Sequence, residues 1–458
     1  MSFFSIKKIH FIGIGGHGLS ALARLALSLG MEVTGSDLED SPIVEELKEA
    51  GARIKIGQAG ENLEKGLELV VYTSAARENE NAEMRMARQK GLPLFSYPEV
   101  LGMISQERET IAVAGTNGKT TVTILLGLML AAGGREPLVI AGGNLEGKHG
   151  GGFRFGQGPF VVEACEAFGN FLNIKSTHLI ITNIAADHLD YYKDLDDIVF
   201  AFQKMADKIE EGGRIIWNAD DVNSHKLKLA GRGLIIKNFG IEGAADFKAE
   251  KIETGADFQK FTVGGREYQL NIPGRFNIYN ALAAAAMALS LGVGEEAIKK
   301  ALENFKGSWR RFEILGKYRG ATIVSDYGHH PAGVAGTIEA ARQKFPSRRV
   351  VLVFHPHHKW RTRFLFNDFI EAFLKSDVVI LNEIWAAPGR EPREDNISSK
   401  DLVEELQGRG FSESYFGKDL EETRRILDSI VKPGDVVLMM GAGFIYRLAE
   451  KLIRPPAE

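Results

Sequence analysis

A glycine-rich segment between an apolar run and a helix-like run constrains the fold of this chain more than any other feature. Residues 110–114 predict a buried strand, and residues 122–132 predict the helix. Between them the sequence reads Gly-Thr-Asn-Gly-Lys-Thr-Thr, from Gly115 to Thr121. Glycines let backbone N–H groups approach phosphate oxygens, and the helix N-terminus adds a favourable dipole. The pattern therefore predicts an α/β sheet with a nucleotide phosphate loop, and ATP is the expected ligand.

The side chains of this loop have separate predicted roles. Lys119 supplies a positive charge to the phosphates, and Thr120 offers its hydroxyl to Mg2+. The strict spacing G-x-x-x-x-G-K-[ST] is not met, because Val113 occupies the first glycine position. This shortened form indicates a subset of nucleotide enzymes. The predicted ATP-binding residues of the loop are Gly115, Thr116, Asn117, Gly118, Lys119, Thr120 and Thr121.

A second glycine-rich turn follows the first predicted strand of the chain. Residues 13–18 read Gly-Ile-Gly-Gly-His-Gly, an intact G-x-G-x-x-G. Asp37 ends the next predicted strand, at about the distance expected for a ribose contact. Alone, this turn is compatible with NAD, with the pyrophosphate of a UDP-sugar, or with no ligand. The residues assigned to a UDP-sugar are Gly13, Gly15, Gly16, His17, Gly18 and Asp37.

Strand-like and helix-like runs alternate along the chain, whose 458 residues exceed one typical core. We predict three α/β domains: a Rossmann-like N-terminal domain over 1–106, a central P-loop ATPase-like domain over 107–308, and a C-terminal Rossmann-like domain over 309–458. The 56 basic and 60 acidic side chains give a net charge of −4, so no nucleic-acid partner is expected. One cysteine, no recognisable secretory signal and no membrane-length apolar run predict a soluble, cytoplasmic protein without membrane insertion.

Polar residues follow two later strands of the central region. Glu163 comes directly after one apolar run, and His188 follows the next. In a parallel sheet both strand ends open on the edge that carries the phosphate loop. Magnesium needs few protein ligands when phosphate oxygens complete its shell, so we predict a Mg2+ site from Thr120, Glu163 and His188. Cys165 is expected to be a small buried residue rather than a reactive thiol.

The C-terminal third carries two histidine-rich loops, each directly after an apolar strand. Residues 325–331 read Ser-Asp-Tyr-Gly-His-His-Pro, and residues 354–363 read Phe-His-Pro-His-His-Lys-Trp-Arg-Thr-Arg. Zinc is one possible ligand because imidazole is its commonest nitrogen donor. However, no cysteine is nearby, and the basic side chains of the second loop would repel a cation. Carboxylate or phosphate binding therefore suits this loop better.

Together these motifs resemble the Mur ligase family, the ATP-dependent amino-acid ligases of peptidoglycan precursor synthesis, over essentially the whole chain. The segments that carry the resemblance are Gly13–Ser20, Gly115–Thr121, Glu163–Glu166, Asn183–Asp190, Arg275–Asn280, Asp326–Pro331, Phe354–Arg363 and Met440–Gly443. The branch it resembles most adds L-alanine to UDP-N-acetylmuramate, with ATP and Mg2+. The resemblance implies that the first domain binds the UDP-sugar, the central domain binds ATP, and the third presents the amino acid and closes over both.

The resemblance also implies a reaction and individual roles. The muramate carboxylate attacks the γ-phosphate of ATP, and the incoming amine attacks the resulting acyl phosphate. Asn277 is similar to an adenine contact, and Asp326 to a ribose contact. His329 and Arg361 are expected near the amino acid, with Arg361 on its carboxylate. The predicted catalytic residues are Lys119, His188, His329 and Arg361.

Four positions depart from the alanine-adding pattern, and several functional alternatives stay open. Cys165, Phe276 and His358 stand where that branch usually has aspartate, histidine and arginine, and His358 bears on amino-acid selectivity. Asn117 is a fourth departure, from histidine, but asparagine is common there elsewhere in the family. Alternatives within the class are a murein-peptide recycling ligase, a Mur-type ligase for another amino acid, and a folylpolyglutamate synthetase-like enzyme. Alternatives outside the ligase class are an NAD-dependent oxidoreductase and an inactive nucleotide or UDP-sugar sensor. The expected partners are small molecules, and the expected assembly is a monomer or homodimer.

Overall fold

The computed structural model describes residues 1–73, 76–77, 79–144, 149, 152–230, 233–386 and 396–453. The chain forms two compact units. The first comprises Met1–Ala185, Asp196–Lys248 and Tyr279–Glu303, and the second comprises Ala186–Leu195, Ala249–Ile278 and Asn304–Glu458. The three domains with boundaries at 1–106, 107–308 and 309–458 remain a prediction.

A five-stranded sheet begins the first unit. Its strands are β1 (Lys8–Ile12), β2 (Glu32–Asp37), β3 (Arg53–Ile56), β4 (Leu69–Tyr72) and β5 (Leu94–Ser96). The helices beside them are α1 (His17–Ser28), α2 (Pro42–Glu49), α3 (Ala82–Gln89) and α4 (Tyr97–Gln106). All strand pairs are parallel, in the order β3-β2-β1-β4-β5. This is a Rossmann order, and the direction of winding reverses at β1, which precedes the first glycine turn.

Local sequence signals explain where these helices begin. Ser41 precedes α2, and its hydroxyl accepts the N–H of Val44 at 3.3 Å, while Pro42 has the fixed φ suited to a first helical position. Ser96 precedes α4, and its N–H donates to the carboxylate of Glu99 at 2.6 Å. Such caps satisfy polar groups that helix ends otherwise leave without a partner.

An eight-stranded sheet completes the strands of the first unit. Its strands are β6 (Thr110–Ala114), β7 (Leu138–Ala141), β8 (Gly152–Arg154), β9 (Phe160–Ala164), β10 (His178–Ile181), β11 (Arg214–Asn218), β12 (Ile235–Gly240) and β13 (Phe247–Lys248). Helices α5 (Lys119–Ala132) and α6 (Leu195–Asp207) belong to the same stretch of chain. Strand β6 pairs in parallel with β9 on one side and with β10 on the other. The residues that follow these three strands therefore meet at one edge of the sheet.

The described residues also contain short 3-10 helices and a small antiparallel sheet. The 3-10 helices of the described residues are Phe3–Ser5, Gly60–Asn62, Ala167–Asn173 and Ser224–Lys226. In the second unit, β14 (Glu250–Thr254), β15 (Gln259–Val263) and β16 (Arg266–Leu270) form an antiparallel sheet. Gly264 and Gly265 link β15 to β16 with φ of +55° and +80°, as a two-residue hairpin turn with left-handed residues requires. Helices α7 (Arg275–Ser290) and α8 (Glu295–Asn304) follow.

A six-stranded sheet forms the centre of the second unit. Its strands are β17 (Glu313–Tyr318), β18 (Ala321–Asp326), β19 (Val350–Phe354), β20 (Val378–Asn382), β21 (Ser414–Gly417) and β22 (Val436–Met440). Its helices are α9 (Pro331–Lys344), α10 (Lys359–Phe364), α11 (Phe366–Phe373), α12 (Ser399–Gly408), α13 (Leu420–Ile430) and α14 (Ile445–Ile453). The order is β17-β18-β22-β19-β20-β21, and only the pair β17–β18 is antiparallel.

Both faces of this sheet are buried, which explains why its strands read as continuous apolar runs. Along β22, Leu438 and Met440 pack into one hydrophobic cluster, whereas Val437 and Met439 pack into the cluster on the opposite face. Each such side chain contributes roughly 1.5–3 kcal/mol when fully buried. The predicted α/β class with parallel, helix-covered sheets is confirmed.

None of the helices in the described residues is both long enough and apolar enough to cross a membrane.

The carboxylate of Asp220 organises the loop after β12. It accepts the backbone N–H groups of Ile241 at 2.6 Å, Glu242 at 2.9 Å and Gly243 at 2.9 Å, and the hydroxyl of Tyr279 at 2.9 Å. Partial burial alone would raise the pKa of this carboxyl, but these donors lower it to about 2. The ionised side chain therefore ties this loop to α7.

We expect Asp220→Asn to destabilise the first unit, because an amide presents only one acceptor atom to this set of donors. Weakening hydrogen bonds to an ionised group of this kind costs roughly 1–3 kcal/mol. Tyr279→Phe removes one donor only and should cost about 1 kcal/mol. Urea denaturation at pH 7 measures both changes. Equal stability of Asp220→Asn and the unmodified protein would contradict this role.

Candidate functional site

The phosphate loop has a backbone that only glycine can adopt at two positions. Gly115 has φ of +141° and Gly118 has φ of +85°. A Cβ on Gly115 would lie 2.0 Å from Oγ1 of Thr182, and one on Gly118 would lie 2.4 Å from Oδ1 of Asn280. Helix α5 then begins at Lys119. The two glycines therefore permit both the turn and the close approach of neighbouring side chains.

The residues after β10 hold the loop in place. The N–H of Thr116 donates to the carbonyl of Asn183 at 2.9 Å, and the N–H of Asn117 donates to its side-chain oxygen at 3.0 Å. The hydroxyl of Thr182 donates to the carbonyl of Asn117 at 2.6 Å. The N–H of Ala185 donates to Oγ1 of Thr116 at 2.8 Å. These bonds fix the loop before any ligand arrives, as preorganised electrostatic catalysis requires.

Lys119 is folded back onto protein acceptors. Its ammonium donates to the carbonyls of Gly115 and Thr116, and it lies 2.9 Å from the carboxylate of Glu166. The side chains of Lys119 and Glu166 are 11% and 3% exposed. Burial alone would lower the pKa of Lys119, but neighbouring groups, led by the carboxylate of Glu166, raise it above its usual range. The ammonium therefore stays charged.

Thr120 and Glu163 place two oxygen atoms side by side at the same edge. The hydroxyl of Thr120 donates to Oε2 of Glu163 at 2.8 Å, and the N–H of Gly142 donates to the same oxygen at 2.6 Å. Hard oxygen donors of this kind fit Mg2+, which takes few protein ligands when phosphates and waters complete its shell. Among the described residues, no three His, Cys, Asp or Glu side chains are grouped as a metal site of their own. A site shared with phosphate oxygens agrees with both facts.

Cys165 and Glu166 follow Glu163 closely in the sequence. Glu166, three residues farther on, was part of the recognised segment but had no predicted role, and it is the partner of Lys119. Cys165 is exposed, so the expectation of a buried residue was wrong.

The first glycine turn is closed by hydrogen bonds to the end of β2. The N–H groups of Gly13 and Ile14 donate to the carbonyl of Ser36 at 2.8 and 3.0 Å. The N–H of Gly15 donates to Oδ2 of Asp37 at 2.8 Å. Gly16 precedes α1, which begins at His17. Asp37 therefore supports the turn itself, and its predicted contact with a sugar remains a prediction.

Gly18 lies under the ring of Tyr97. A Cβ at Gly18 would lie 2.7 Å from Cζ of that ring. The last glycine of the motif is therefore required for packing, which is its usual role in such turns.

In the second unit, Asp326 ends β18 and is 6% exposed. Its carboxylate accepts the N–H of Phe312 at 2.8 Å and the N–H of Gly328 at 2.6 Å. Burial raises the pKa of this carboxyl. Asn277 is also buried, and its amide donates to the carbonyl of Pro273 at 2.6 Å. Both predicted nucleotide contacts thus also hold their own loops, and their roles toward ATP stay predictions.

Asp187 brings three predicted site residues of the second unit together. Nε and Nη2 of Arg361 donate to its Oδ1 at 3.1 and 2.7 Å. Its Oδ2 lies 3.9 Å from Nε2 of His188 and 4.0 Å from Nε2 of His329. Asp187 had no predicted role, although its position directly before His188 was the available signal. Burial, followed by the positive charge of Arg361, lowers the pKa of His329 well below its usual range.

A buried arginine connects two loops at the carboxyl edge of the six-stranded sheet. Arg310 is 2% exposed, and its guanidinium carbon lies 4.9 and 4.5 Å from the ring centres of Tyr327 and Tyr446. It donates to the carbonyl of Gly441. Its Nε and Nη1 have no hydrogen-bond partner among the described residues. Burial lowers its pKa, and nothing in the sequence motifs indicated this residue.

His355, at the end of β19, is next to this arginine. It is 8% exposed. Burial, followed by the charge of Arg310, lowers the pKa of His355 to about 4. The unfolded chain would protonate this residue near pH 6.5.

We expect His355 to make the protein less stable as the pH falls from about 6.5 to about 4. In this window the unfolded chain takes up a proton that the folded protein excludes, so the free energy of unfolding drops by about 2 kcal/mol at pH 5. Denaturant unfolding at pH 7.5 and pH 5 measures the loss. His355→Gln should show a shallower pH dependence, whereas His225→Gln, which changes an exposed histidine, should not. Equal pH dependence in the unmodified protein and His355→Gln would contradict the assignment.

Thr120 and Glu163 belong to the first unit, and His188 belongs to the second. The predicted Mg2+ set of all three residues therefore stays a prediction.

Comparison with known proteins identifies the family to which these motifs belong. Three profiles match: "Mur ligase family, catalytic domain" over residues 8–109, "Mur ligase middle domain" over 160–288, and "Mur ligase, glutamate ligase domain" over 310–443. The UDP-N-acetylmuramate–L-alanine ligase of Sulfurihydrogenibium sp. is 40% identical over 456 residues, which cover 99% of this chain and 98% of that protein.

Two solved structures are similar over almost the whole chain. The UDP-N-acetylmuramate–alanine ligase of Thermotoga maritima has a TM-score of 0.81 and 28% identity, covering 97% of this chain and 98% of that one. A murein peptide ligase of Psychrobacter arcticus has a TM-score of 0.74 and 25% identity, covering 98% of both chains.

Proposed function

The chain belongs to the Mur ligase family, and we propose that it joins L-alanine to the carboxylate of UDP-N-acetylmuramate, with cleavage of ATP to ADP and phosphate. One observation carries the proposal. The phosphate loop, Lys119 and the adjoining oxygens of Thr120 and Glu163 lie at one edge of a sheet, in a chain similar over 99% of its length to an alanine-adding ligase. The reaction requires phosphoryl transfer, and this edge carries the cation and the oxygen donors that such a transfer needs.

The first chemical step forms an acyl phosphate. A carboxylate oxygen of the sugar attacks the γ-phosphorus of ATP, and the bond to the bridging oxygen breaks to release ADP. Lys119 exchanges Glu166 for a phosphate oxygen and neutralises charge on the transferred group. Thr120 and Glu163 would hold Mg2+, with His188 as the third predicted ligand, and Mg2+ when bound polarises the phosphate oxygens.

The second step forms the amide. The ammonium group of L-alanine first loses a proton to water, and the free amine attacks the acyl carbon. The tetrahedral intermediate then expels phosphate, which carries away the second proton of the nitrogen. Arg361 binds the carboxylate of the amino acid through its planar fork. His329 stays neutral because its pKa is low, so it does not repel the incoming ammonium group.

The remaining roles follow from the position of each loop. The N-terminus of α1, which directly follows the first glycine turn, is proposed to bind the pyrophosphate of the UDP-sugar. Asn277 and Asp326 are proposed to contact the adenine and ribose of ATP. We also propose a cytoplasmic location, where ATP and the nucleotide sugar are available, and a monomer or homodimer.

A peptide-adding reaction is the second candidate, because the chain is also similar to a murein peptide ligase. The assay that separates the two measures phosphate release with ATP, Mg2+ and UDP-N-acetylmuramate against a panel of amino acids and short peptides. Release that requires L-alanine supports the first candidate. Release with a peptide alone supports the second, and nucleotide binding without release supports a sensor.

We expect Lys119→Ala to reduce L-alanine-dependent phosphate release by a factor on the order of 100 or more, because it removes charge stabilisation from the transferred phosphoryl group. The measurement is steady-state phosphate release with all three substrates. Lys175→Ala is the matched control, since that ammonium pairs with Glu210 at the surface, with both side chains more than half exposed. Turnover within about twofold of the unmodified enzyme in Lys119→Ala would exclude the assigned role.

We expect Glu163→Ala to lower kcat steeply and to leave the affinity for UDP-N-acetylmuramate nearly unchanged, because the variant removes only the carboxylate beside Thr120. Titration calorimetry measures the affinity, and phosphate release measures kcat. Glu210→Ala serves as the control carboxylate, which is 64% exposed. A parallel loss of affinity and turnover would count against a metal-binding role.

A further inference from the structure

Arg361 is the residue proposed to bind the carboxylate of the amino acid, and the structure shows how its guanidinium is held. Its side chain is 2% exposed. Nε and Nη2 donate to Oδ1 of Asp187, while Nη1 lies 3.3 Å from the carbonyl of His357. The orientation of the fork therefore depends on a carboxylate that is itself 5% exposed. Removing only one partner of a buried ion pair of this kind strongly destabilises a protein.

The edge of the guanidinium that Asp187 uses matters for substrate binding. A guanidinium can bind a carboxylate through Nε with Nη2, or through Nη1 with Nη2. Asp187 takes the first edge. The other edge consists of Nη1 and the second N–H of Nη2, and there Nη1 contacts the carbonyl and Nδ1 of His357 at 3.3 and 3.4 Å. A substrate carboxylate at this edge would displace the contacts to His357 and leave those to Asp187 in place. Asp187 thus acts as an orienting partner rather than as a blocking one.

Asp187 also fixes the residue that follows it. The N–H of His188 donates to Oδ1 of Asp187 at 2.8 Å. His188 has φ of +54°, a left-handed conformation that is costly for a residue with a Cβ and is retained where surrounding contacts enforce it. Oδ1 of Asp187 therefore holds the backbone of a proposed Mg2+ ligand as well as the side chain of Arg361. The amide oxygen in Asp187→Asn can still accept the N–H of His188.

We propose that Asp187 is a positioning residue that orients Arg361 toward the carboxylate of the amino-acid substrate and thereby makes the enzyme select amino acids that carry a free α-carboxylate. This inference rests on the proposed function and adds a determinant of specificity to it. Asp187 touches no reacting atom, and it acts through Arg361.

The test compares L-alanine with L-alaninamide, which keeps the amine but lacks the carboxylate. The unmodified enzyme should prefer L-alanine in kcat/KM. Asp187→Asn keeps the shape of the side chain but removes its charge, so KM for L-alanine should rise roughly 10- to 100-fold, as expected when a charge-assisted hydrogen bond is misaligned. KM for ATP and for UDP-N-acetylmuramate should stay within about twofold, and the preference for L-alanine over L-alaninamide should fall by the same factor as its KM rises.

Two further variants keep the test decisive. Asp196→Asn, in which an 83% exposed carboxylate is neutralised, should behave like the unmodified enzyme. If thermal unfolding shows that Asp187→Asn is not folded at the assay temperature, Asp187→Glu replaces it. That variant keeps the charge but displaces it by one methylene, and it should lower the same preference.

Each outcome has one meaning. If the variant loses activity equally toward L-alanine and L-alaninamide, Asp187 has a general structural role and the inference is wrong. An unchanged KM for L-alanine also overturns it, while the proposed function stands. If the unmodified enzyme shows no release of phosphate with L-alanine, the proposed function fails first and the inference falls with it.

Discussion

Parallel pairing of β6 with β9 and β10 determines where the reactive groups of the first unit lie. Because parallel strands end on the same side, the phosphate loop, the carboxylate of Glu163 and the supporting residues after β10 all reach one edge. The strands are short and mostly apolar, so their register is set by the buried sheet rather than by any ligand. The geometry needed for phosphoryl transfer is thus a consequence of sheet packing, and the loop bonds to Asn183 only refine it.

The proposed binding residues share a physical property: each already has a partner within the protein. Lys119 pairs with Glu166, Asp37 accepts the N–H of Gly15, and Arg361 pairs with Asp187. A buried charge without a partner would be costly, so the protein supplies one. A substrate that binds to one of these side chains either replaces its internal partner, as proposed for Lys119, or binds beside a partner that stays, as proposed for Arg361.

Much of the fold could be predicted from the sequence because apolar runs such as Val436–Met440 leave few alternatives to a buried strand. The contact between Thr120 and Glu163 could also be anticipated, since Thr120 comes after β6 and Glu163 lies near the end of its parallel neighbour β9. The pairing of Asp187 with Arg361 could not, because it joins residues 174 positions apart through tertiary packing alone. Arg310 escaped notice for a related reason: a surface-type residue was buried among aromatic rings. The wrong expectation for Cys165 arose because residue type alone does not report exposure.

The pairing of Lys119 with Glu166 has a consequence for which anions the loop accepts. A lysine that already has a counter-ion attracts a lone monovalent anion only weakly, since the newcomer must displace a carboxylate that is held nearby by its own chain. A triphosphate brings several charges and many oxygen atoms, and it can engage the backbone donors of the loop at the same moment as it displaces Glu166. ATP therefore displaces Glu166 from Lys119 more easily than inorganic phosphate, the product of the proposed reaction, does.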